Sequence, residues 1–167
     1  MADDDRFVAI NIRKGMVSDN GEATGKGYVA GLECMCQGLK GKNVLLLGAG
    51  QVGSSAALAL VRKGALVTVF DINITASQVL SCAIEKLVYC VQVETDLEGA
   101  LARHQIFFDA CPGESVIHLR HISKDTMIAA PGIPLGVQGI GVDKLLTDRL
   151  LHDPLQIGVA TMLWDVL

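Results

Sequence analysis

The feature that most constrains this chain is a glycine-rich segment at residues 48–53, Gly-Ala-Gly-Gln-Val-Gly. It directly follows an apolar run at residues 43–47, which predicts a buried β-strand. It directly precedes an amphipathic stretch at residues 51–63, which predicts a helix that ends at Gly64. A glycine-rich turn between a strand and a helix is typical of a βαβ unit, so the segment limits the chain to folds with a parallel sheet.

The segments that follow alternate between strand and helix, as a parallel sheet requires. We predict strands at residues 66–70, 88–93, 106–108 and 126–130, with helices at 75–86 and 97–103. Half of the residues are hydrophobic but only 4% are aromatic, so the core is aliphatic and suits strands that are covered on both faces. The sequence therefore predicts an α/β fold, a Rossmann-like doubly wound parallel sheet with helices on both faces.

Each glycine of the segment has a physical role in binding a dinucleotide. Gly48 permits the turn out of the strand, Gly50 leaves room for a pyrophosphate, and Gly53 lets the helix pack closely. The first N–H groups of the helix, around Gln51 and Val52, then face the negative charge of the pyrophosphate. The segment therefore predicts a dinucleotide site; a glycine turn that binds nothing and an FAD site are the alternatives.

Asp71 indicates which dinucleotide binds. It ends the second strand, 18 residues after Gly53, where a carboxylate accepts hydrogen bonds from the adenosine ribose. Its charge repels a 2′-phosphate, and the next residues, Ile72, Asn73 and Ile74, supply no cation to bind one. The predicted cofactor is therefore NAD rather than NADP.

Two further loops are expected over the nicotinamide half, because ligands of such sheets lie beyond the carboxyl ends of the strands. One contains Ala110, Cys111 and Pro112, and the other contains Pro131 and Gly132. Their small side chains let a ring approach the backbone. Since no motif places a histidine beside the cysteine, we expect it to pack beneath the ring rather than act as a nucleophile.

Composition argues against several other classes of function. The net charge of −4 does not favour nucleic acid, and no apolar stretch has the length of a membrane span. Five cysteines without C-x-x-C spacing, and no secretory leader, predict a cytoplasmic protein with reduced thiols. His118 and His121 have one-turn spacing, but no third ligand is indicated, so no metal site is predicted. We expect a small-molecule substrate, and a homo-oligomer is possible.

The first 40 residues do not resemble the start of a compact domain. A strand at residues 7–12 is followed by two turns and a helix that begins at Thr24 or Gly25 and ends at Gly38. We therefore predict that residues 1–40 are the end of a substrate domain and a connecting helix. Residues 41–167 then form the NAD-binding domain with a closing helix at its end, and the chain is expected to be truncated.

Two acidic positions are candidates for chemistry at the ends of the chain. Asp3 belongs to a run of three aspartates, a pattern that usually marks a solvated face. Asp153 directly precedes a proline and the closing helix, where it is suited to cap the helix. These residues alone indicate an NAD-dependent enzyme of unknown substrate.

Three stretches together resemble one family, the dehydrogenase of pyrrolysine biosynthesis (3-methylornithyl-lysine dehydrogenase). They are Met1-Ala2-Asp3-Asp4 with the strand and turn that follow, residues 41–71, and the pair formed by residues 130–134 and 153–163. The third carries the most weight, because a Pro-Gly-Ile-Pro turn precedes a similar closing helix. The resemblance spans essentially the whole chain, but the family continues before its Met-Ala-Asp-Asp.

The resemblance implies oxidation of the terminal amine of 3-methylornithyl-lysine to an imine or aldehyde that cyclises to pyrrolysine. By the same resemblance, Asp3 and Asp153 are the catalytic carboxylates that hold the ammonium group, and Ala2 joins them in binding substrate. The family has a glutamate where this chain has Asp153, so the shorter side chain leaves the reach of that contact open.

Two other functions remain open at this point. The Gly-Lys-x-Val segment at residues 41–44 also occurs in two-domain dehydrogenases of the shikimate and methylenetetrahydrofolate types. A non-catalytic module that senses NAD would also need the glycine loop. If a substrate domain is missing, we expect NAD binding with little or no turnover.

Overall fold

The computed structural model describes residues 8–113, 116–138, 147–153 and 156–167. An antiparallel hairpin of β1 (Val8–Asn11) and β2 (Met16–Asp19) leads into α1 (Asn20–Met35). The main unit follows: β3 (Asn43–Leu47), α2 (Gln51–Arg62), β4 (Leu66–Phe70), α3 (Ile74–Glu85), β5 (Val91–Val93), α4 (Leu97–Arg103) and β6 (Ile106–Asp109). The remaining elements are β7 (Ile117–His118), a 3₁₀ turn (Leu119–His121), β8 (Met127–Ala129), β9 (Val137–Gln138), β10 (Leu150–Leu151) and α5 (Gln156–Val166).

Six of these strands form one parallel sheet in the order β5-β4-β3-β6-β8-β10. The chain moves outward in one direction from β3 to β5 and then returns to lay β6 on the other side of β3. The strand order therefore reverses between β3 and β6, and the crevice at such a reversal is where open α/β sheets bind ligands. The loop at residues 48–50 follows β3 and so lies at this point.

The core explains why helices cover both faces. Strand β3 is completely buried from Val44 to Leu47, and alternate side chains point to opposite faces. Val44 and Leu46 pack with α1, α2 and α3, whereas Leu45 and Leu47 pack with α4 and the segment around Ile117. The predicted fold class, a doubly wound parallel sheet with helices on both faces, is confirmed. Among the described residues, no helix has the length and apolarity that a membrane span requires.

Two elements begin three or more residues away from their predicted starts, for local reasons. Helix α1 begins at Asn20 rather than at Thr24 or Gly25, because the Asp19 side chain caps it by accepting the Glu22 N–H at 3.1 Å. The strand predicted from residue 88 begins at Val91, since Val88 has a positive φ of 67° and belongs to the turn after α3. The part of the 7–12 strand at Phe7 lies outside the described residues.

Helix α1 shares one hydrophobic core with the sheet. Tyr28, Val29 and Leu32 are buried in the same cluster as the apolar face of α2. The domain boundary after residue 40 stays a prediction, but this packing makes α1 part of the folded unit.

Truncation of a central strand side chain should destabilise this core. We expect Leu46→Ala to lower the free energy of unfolding by about 2–5 kcal/mol, because it removes a side chain with no exposed surface and leaves a cavity. Leu66→Ala is the matched control on the neighbouring strand, where 58% of the residue is exposed and the expected loss is below about 1 kcal/mol. Urea denaturation followed by circular dichroism measures both, and equal losses would contradict this description of the core.

Candidate functional site

The glycine loop brings helix α2 directly against the end of β3. Gly48 has a φ of 91°, in the left-handed region that favours glycine. A Cβ on Gly53 would collide with the Gly48 carbonyl oxygen, so only glycine permits this approach. By contrast, a Cβ on Gly50 would meet no atom within 4 Å. Packing therefore explains Gly53, whereas the open space above Gly50 is what a ligand needs in order to reach the backbone.

The start of α2 differs from the starts of the other described α-helices. Helices α1, α3 and α4 are each capped by an acidic or amide side chain at the N-cap position, Asp19, Asn73 and Asp96, respectively, and Asp153 accepts the Gln156 N–H at the start of α5. Helix α2 has Gly50 at this position, and no side chain caps it in the described part of the chain. Its first N–H groups are therefore directed into the crevice, where they suit an anionic group such as a pyrophosphate.

Asp71 lies beside this loop. Its Oδ2 accepts a hydrogen bond from the Ala49 N–H at 2.7 Å, and its Oδ1 accepts one from the Asn73 N–H at 2.8 Å. These bonds hold the carboxylate at the carboxyl end of β4, where ribose hydroxyls can reach it. Ile72, which follows, is 98% exposed and contributes no charge. The open glycine, the uncapped helix and the fixed carboxylate together fit a dinucleotide.

The loops after β6 and β8 form the other side of the crevice. Ala110 N–H donates to the Leu47 carbonyl at 2.8 Å, which continues the pairing of β6 with β3. A Cβ on Gly132 would collide with the Cys111 carbonyl oxygen, so the two loops pack through a glycine. Pro112 is exposed and Pro131 half-buried on these loops.

Cys111 is poorly suited to act as a nucleophile. Burial, together with the nearby negative charges of Asp109 and Asp71, raises the pKa of its thiol to about 12. The thiol is therefore protonated at neutral pH, and only a thiolate is a good nucleophile. This agrees with a packing role.

Asp109 is the least expected polar group of the site. It ends β6, is only 1% exposed, and accepts the Cys111 N–H on its Oδ1 at 3.1 Å. Its Oδ2 has no hydrogen-bond partner among the described residues. Burial raises the pKa of this carboxyl, although the Cys111 contacts and the nearby His152 oppose the shift.

Asp153 lines a cleft of about 180 Å³ between α1, the start of α2 and the loop after β8. Its Oδ1 accepts the Gln156 N–H, at the start of α5, at 2.6 Å, which is the kind of bond expected of a capping residue. The Tyr28 hydroxyl accepts from the Asp153 N–H at 2.8 Å and donates to the Asp153 carbonyl. The cleft is lined by Asn20, Thr24, Tyr28, Val52, Pro131, Ile133, Asp153 and Gly158.

The cleft brings some predicted residues together and adds others. Val52, Pro131 and Asp153 meet in it, whereas Ala2 and Asp3 lie outside the described residues, so the pairing of the two aspartates stays a prediction. Asn20 and Tyr28 were not predicted. Tyr28 sits on the apolar face of α1 and has the spacing of a core residue, so only the fold could connect it with residue 153.

The two histidines with one-turn spacing lie elsewhere. His118 and His121 have ring centroids 5.7 Å apart, and His121 and Arg120 both contact Glu98 of α4. Within the described ranges, no group of three or more side chains is arranged to hold a metal ion. All five cysteines are free thiols.

Comparison with known proteins identifies the domain. The family model of the alanine dehydrogenase/PNT C-terminal domain matches residues 20–130, about two thirds of the chain. The chain belongs to this family. It therefore carries an NAD(P)-binding domain of the dehydrogenase type, which confirms the cofactor prediction at this level. No curated protein matches in sequence.

Solved structures agree on the fold. Quinate dehydrogenase from Corynebacterium glutamicum, solved with NAD, is 21% identical with a TM-score of 0.65. The match covers 95% of this chain and 60% of the quinate dehydrogenase chain. A shikimate dehydrogenase solved with NADP⁺ is 16% identical with a TM-score of 0.65, covering 95% and 57%. This chain thus spans 60% or less of these two proteins. They do not include a pyrrolysine-forming enzyme, so that resemblance remains a hypothesis.

The environment of Cys111 predicts selective thiol reactivity. Cys34, Cys82 and Cys90 are exposed and should be alkylated by iodoacetamide at mildly alkaline pH. Cys111 should react more than about 100-fold more slowly, because so little of it is thiolate. Mass spectrometry of the peptides over time measures each rate. Modification of Cys111 as fast as Cys82 would contradict the assigned environment.

Burial of Asp109 predicts a pH-dependent stability difference. A carboxyl whose pKa is higher in the folded state stabilises the fold when protonated and loses that contribution as pH rises through the raised pKa. Asp109→Asn should therefore be more stable than the natural chain by about 1–2 kcal/mol at neutral pH, and the gain should shrink on acidification.

Thermal unfolding at a series of pH values checks this difference. Asp125→Asn, at an exposed position before β8, is the matched control and should change stability little at any pH. An Asp109→Asn variant that is less stable than the natural chain at neutral pH, by an amount independent of pH, would contradict the assigned burial effect.

Proposed function

We propose that this chain is the NAD-binding part of a dehydrogenase and that it prefers NAD to NADP. The observation that carries the proposal is the Asp71 carboxylate, fixed by the Ala49 and Asn73 N–H groups beside the glycine loop. A carboxylate there accepts hydrogen bonds from ribose hydroxyls and repels a 2′-phosphate. The exposed Ile72 beside it offers no compensating cation.

For the substrate, we propose the primary amine of 3-methylornithyl-lysine. A primary ammonium, with a pKa near 10.4, must lose a proton before its carbon can give up a hydride. When bound, NAD supplies the hydride acceptor. Asp153 contributes a carboxylate at the cleft, suited to holding an ammonium group directly or through a water, and Asp3 is the proposed second carboxylate. The resulting imine is hydrolysed to an aldehyde with release of ammonia, and attack by the internal α-amine on the aldehyde, with loss of water, closes the ring.

An exposed apolar surface supports a further domain in the complete enzyme. Asn11 and Ser18, on one face of the hairpin, bond to Val166 and Asp165 of α5. On the other face, the large side chains of Val8, Ile10 and Val17 are 42%, 59% and 63% exposed. Two-stranded hairpins are only marginally stable in water, and apolar patches of this kind mark interaction sites. We propose that a substrate domain covers this face and that the chain alone turns over little or no substrate.

A second candidate is a dehydrogenase of the quinate or shikimate type. It is favoured by the similarity in fold to both of those enzymes over 95% of this chain. Such substrates carry hydroxyl groups and a carboxylate rather than an ammonium group, so substrate charge separates the two candidates.

Calorimetric titration tests the cofactor proposal. NAD should bind the natural chain more tightly than NADP, and Asp71→Ser should weaken NAD binding by about 10-fold or more, since it removes a charged hydrogen-bond acceptor. Asp125→Ser, before β8 at the opposite, amino ends of the strands, is the matched control and should leave NAD affinity unchanged. If neither dinucleotide binds, the proposal fails; if NADP binds more tightly, the assigned role of Asp71 is wrong.

Substrate oxidation tests the chemistry in the protein at its full natural length. Formation of NADH should follow addition of 3-methylornithyl-lysine and not of quinate or shikimate. Asp153→Asn should lower the rate by about 100-fold or more with NAD affinity unchanged. The matched control is Asp165→Asn near the end of α5, which should retain the rate. Oxidation of quinate or shikimate instead would favour the second candidate.

A further inference from the structure

Asp109 occupies a special place in the sheet. It ends β6 and pairs with Leu47 of β3. Strand β6 lies on one side of β3, and β4, which ends at Asp71, lies on the other. Its carboxyl group is buried, one oxygen accepts the Cys111 N–H, and Oδ2 has no hydrogen-bond partner among the described residues. A buried carboxyl oxygen without a partner is costly, so its presence at a ligand crevice calls for an explanation.

The surroundings of Asp109 keep its charge poorly compensated. A Cβ on Gly136 would collide with Oδ2, so the loop after β8 closes directly over this oxygen. The titratable groups that face it are His152, next to β10, and the Cys111 thiol on its own loop, with the Asp71 charge near that thiol. Among the described residues, no lysine or arginine forms an ion pair with it. Burial favours the neutral form of the carboxyl, and its pKa is raised.

The two halves of a bound dinucleotide meet different sides of the crevice. With the adenosine ribose at Asp71 and the pyrophosphate at the start of α2, the nicotinamide half is expected over β6 and β8. The oxidised nicotinamide ring carries a positive charge, whereas the reduced ring is neutral. Only the oxidised form therefore attracts a carboxylate below it, and charge interactions are strong where water is excluded.

We propose that Asp109 makes the site sense the redox state of the cofactor: Asp109 releases a proton when NAD⁺ binds and keeps it when NADH binds. In the first case the neutral carboxyl becomes a carboxylate and its proton passes to the solvent, so one negative charge appears beside one positive charge. In the second case no charge enters and the carboxyl stays neutral. This inference rests on the proposed NAD site.

The sign of the pH dependence follows from this linkage. NAD⁺ affinity should rise as pH rises through the raised pKa of Asp109 and level off above it, because less free energy is then needed to remove the proton. NADH affinity should lack this dependence. Each unit by which NAD⁺ lowers the pKa of Asp109 corresponds to about a tenfold gain in NAD⁺ affinity between the two limits.

Calorimetric titration in two buffers that hold the same pH but differ in ionisation enthalpy, acetate and MES at about pH 5.5 or phosphate and imidazole at about pH 7, measures the released proton directly. In the pH range around the raised pKa of Asp109, the apparent enthalpy of NAD⁺ binding should differ between the buffers, and that of NADH should not. Asp109→Asn should abolish the difference and reduce the ratio of NAD⁺ to NADH affinity. His152→Gln is the control for the histidine that faces Asp109 and should keep the difference.

The outcomes separate this inference from the proposed function. Binding of both cofactors without a buffer effect would overturn the role of Asp109 and leave the NAD site intact. A buffer effect that persists in Asp109→Asn, or one that disappears in His152→Gln, would also overturn it. If neither cofactor binds the natural chain, the NAD site and this inference fail together. The natural chain alone decides the first test, so it does not depend on the folding of any variant.

Discussion

The close contact between helix α2 and the loop that ends β3 is the constraint on which the rest of the structure depends. Gly53 has no Cβ, and only for that reason can it lie against the Gly48 carbonyl. This contact directs the start of α2 at the point where the strand order reverses. It also leaves Gly50 open to a ligand and sets Ala49 where its N–H bonds to Asp71. A larger side chain at position 53 would displace all of these groups together.

The two carboxylates on either side of the reversal have opposite environments. Asp71 is half-buried and accepts two backbone N–H groups, which fix the carboxylate where it can bind hydroxyls. Asp109 is buried, with one oxygen bonded and the other without a partner in the described chain, which suits a group that changes its protonation state. The same side chain at two neighbouring strand ends can thus bind one half of a dinucleotide and respond to the charge of the other half.

The strands and helices whose hydrophobic pattern extends over several residues could be predicted from the sequence. The strands Asn43–Leu47 and Leu66–Phe70 and the helix Leu97–Arg103 have the predicted bounds, because apolar runs and amphipathic periods identify elements of that length. The two-residue strands β7, β9 and β10 were not predicted, since so few residues have no period. Their positions are fixed by partner strands that are distant in sequence.

The candidate site also contains residues that could be predicted from the sequence and residues that could not. The glycine loop and Asp71 are close in sequence and have a known spacing, so the sequence could predict them. The roles of Asp109 and Tyr28 depend on residues far along the chain: Gly136 closes over the first, and the backbone of Asp153 contacts the second. No local sequence pattern identifies such pairs, and the residue type alone does not distinguish a buried aspartate at a strand end from an exposed one.

Hydrogen–deuterium exchange of the chain with and without saturating NAD tests the central claim most directly. The account predicts slower exchange in the glycine loop at residues 48–53, after β4 at residues 71–73, and in the loops at residues 109–113 and 131–134. It predicts no change in the exchange rate around His121, which contacts Glu98 of α4. Protection confined to the region of His121, or no protection anywhere when NAD is saturating, would contradict a dinucleotide site at the reversal of strand order.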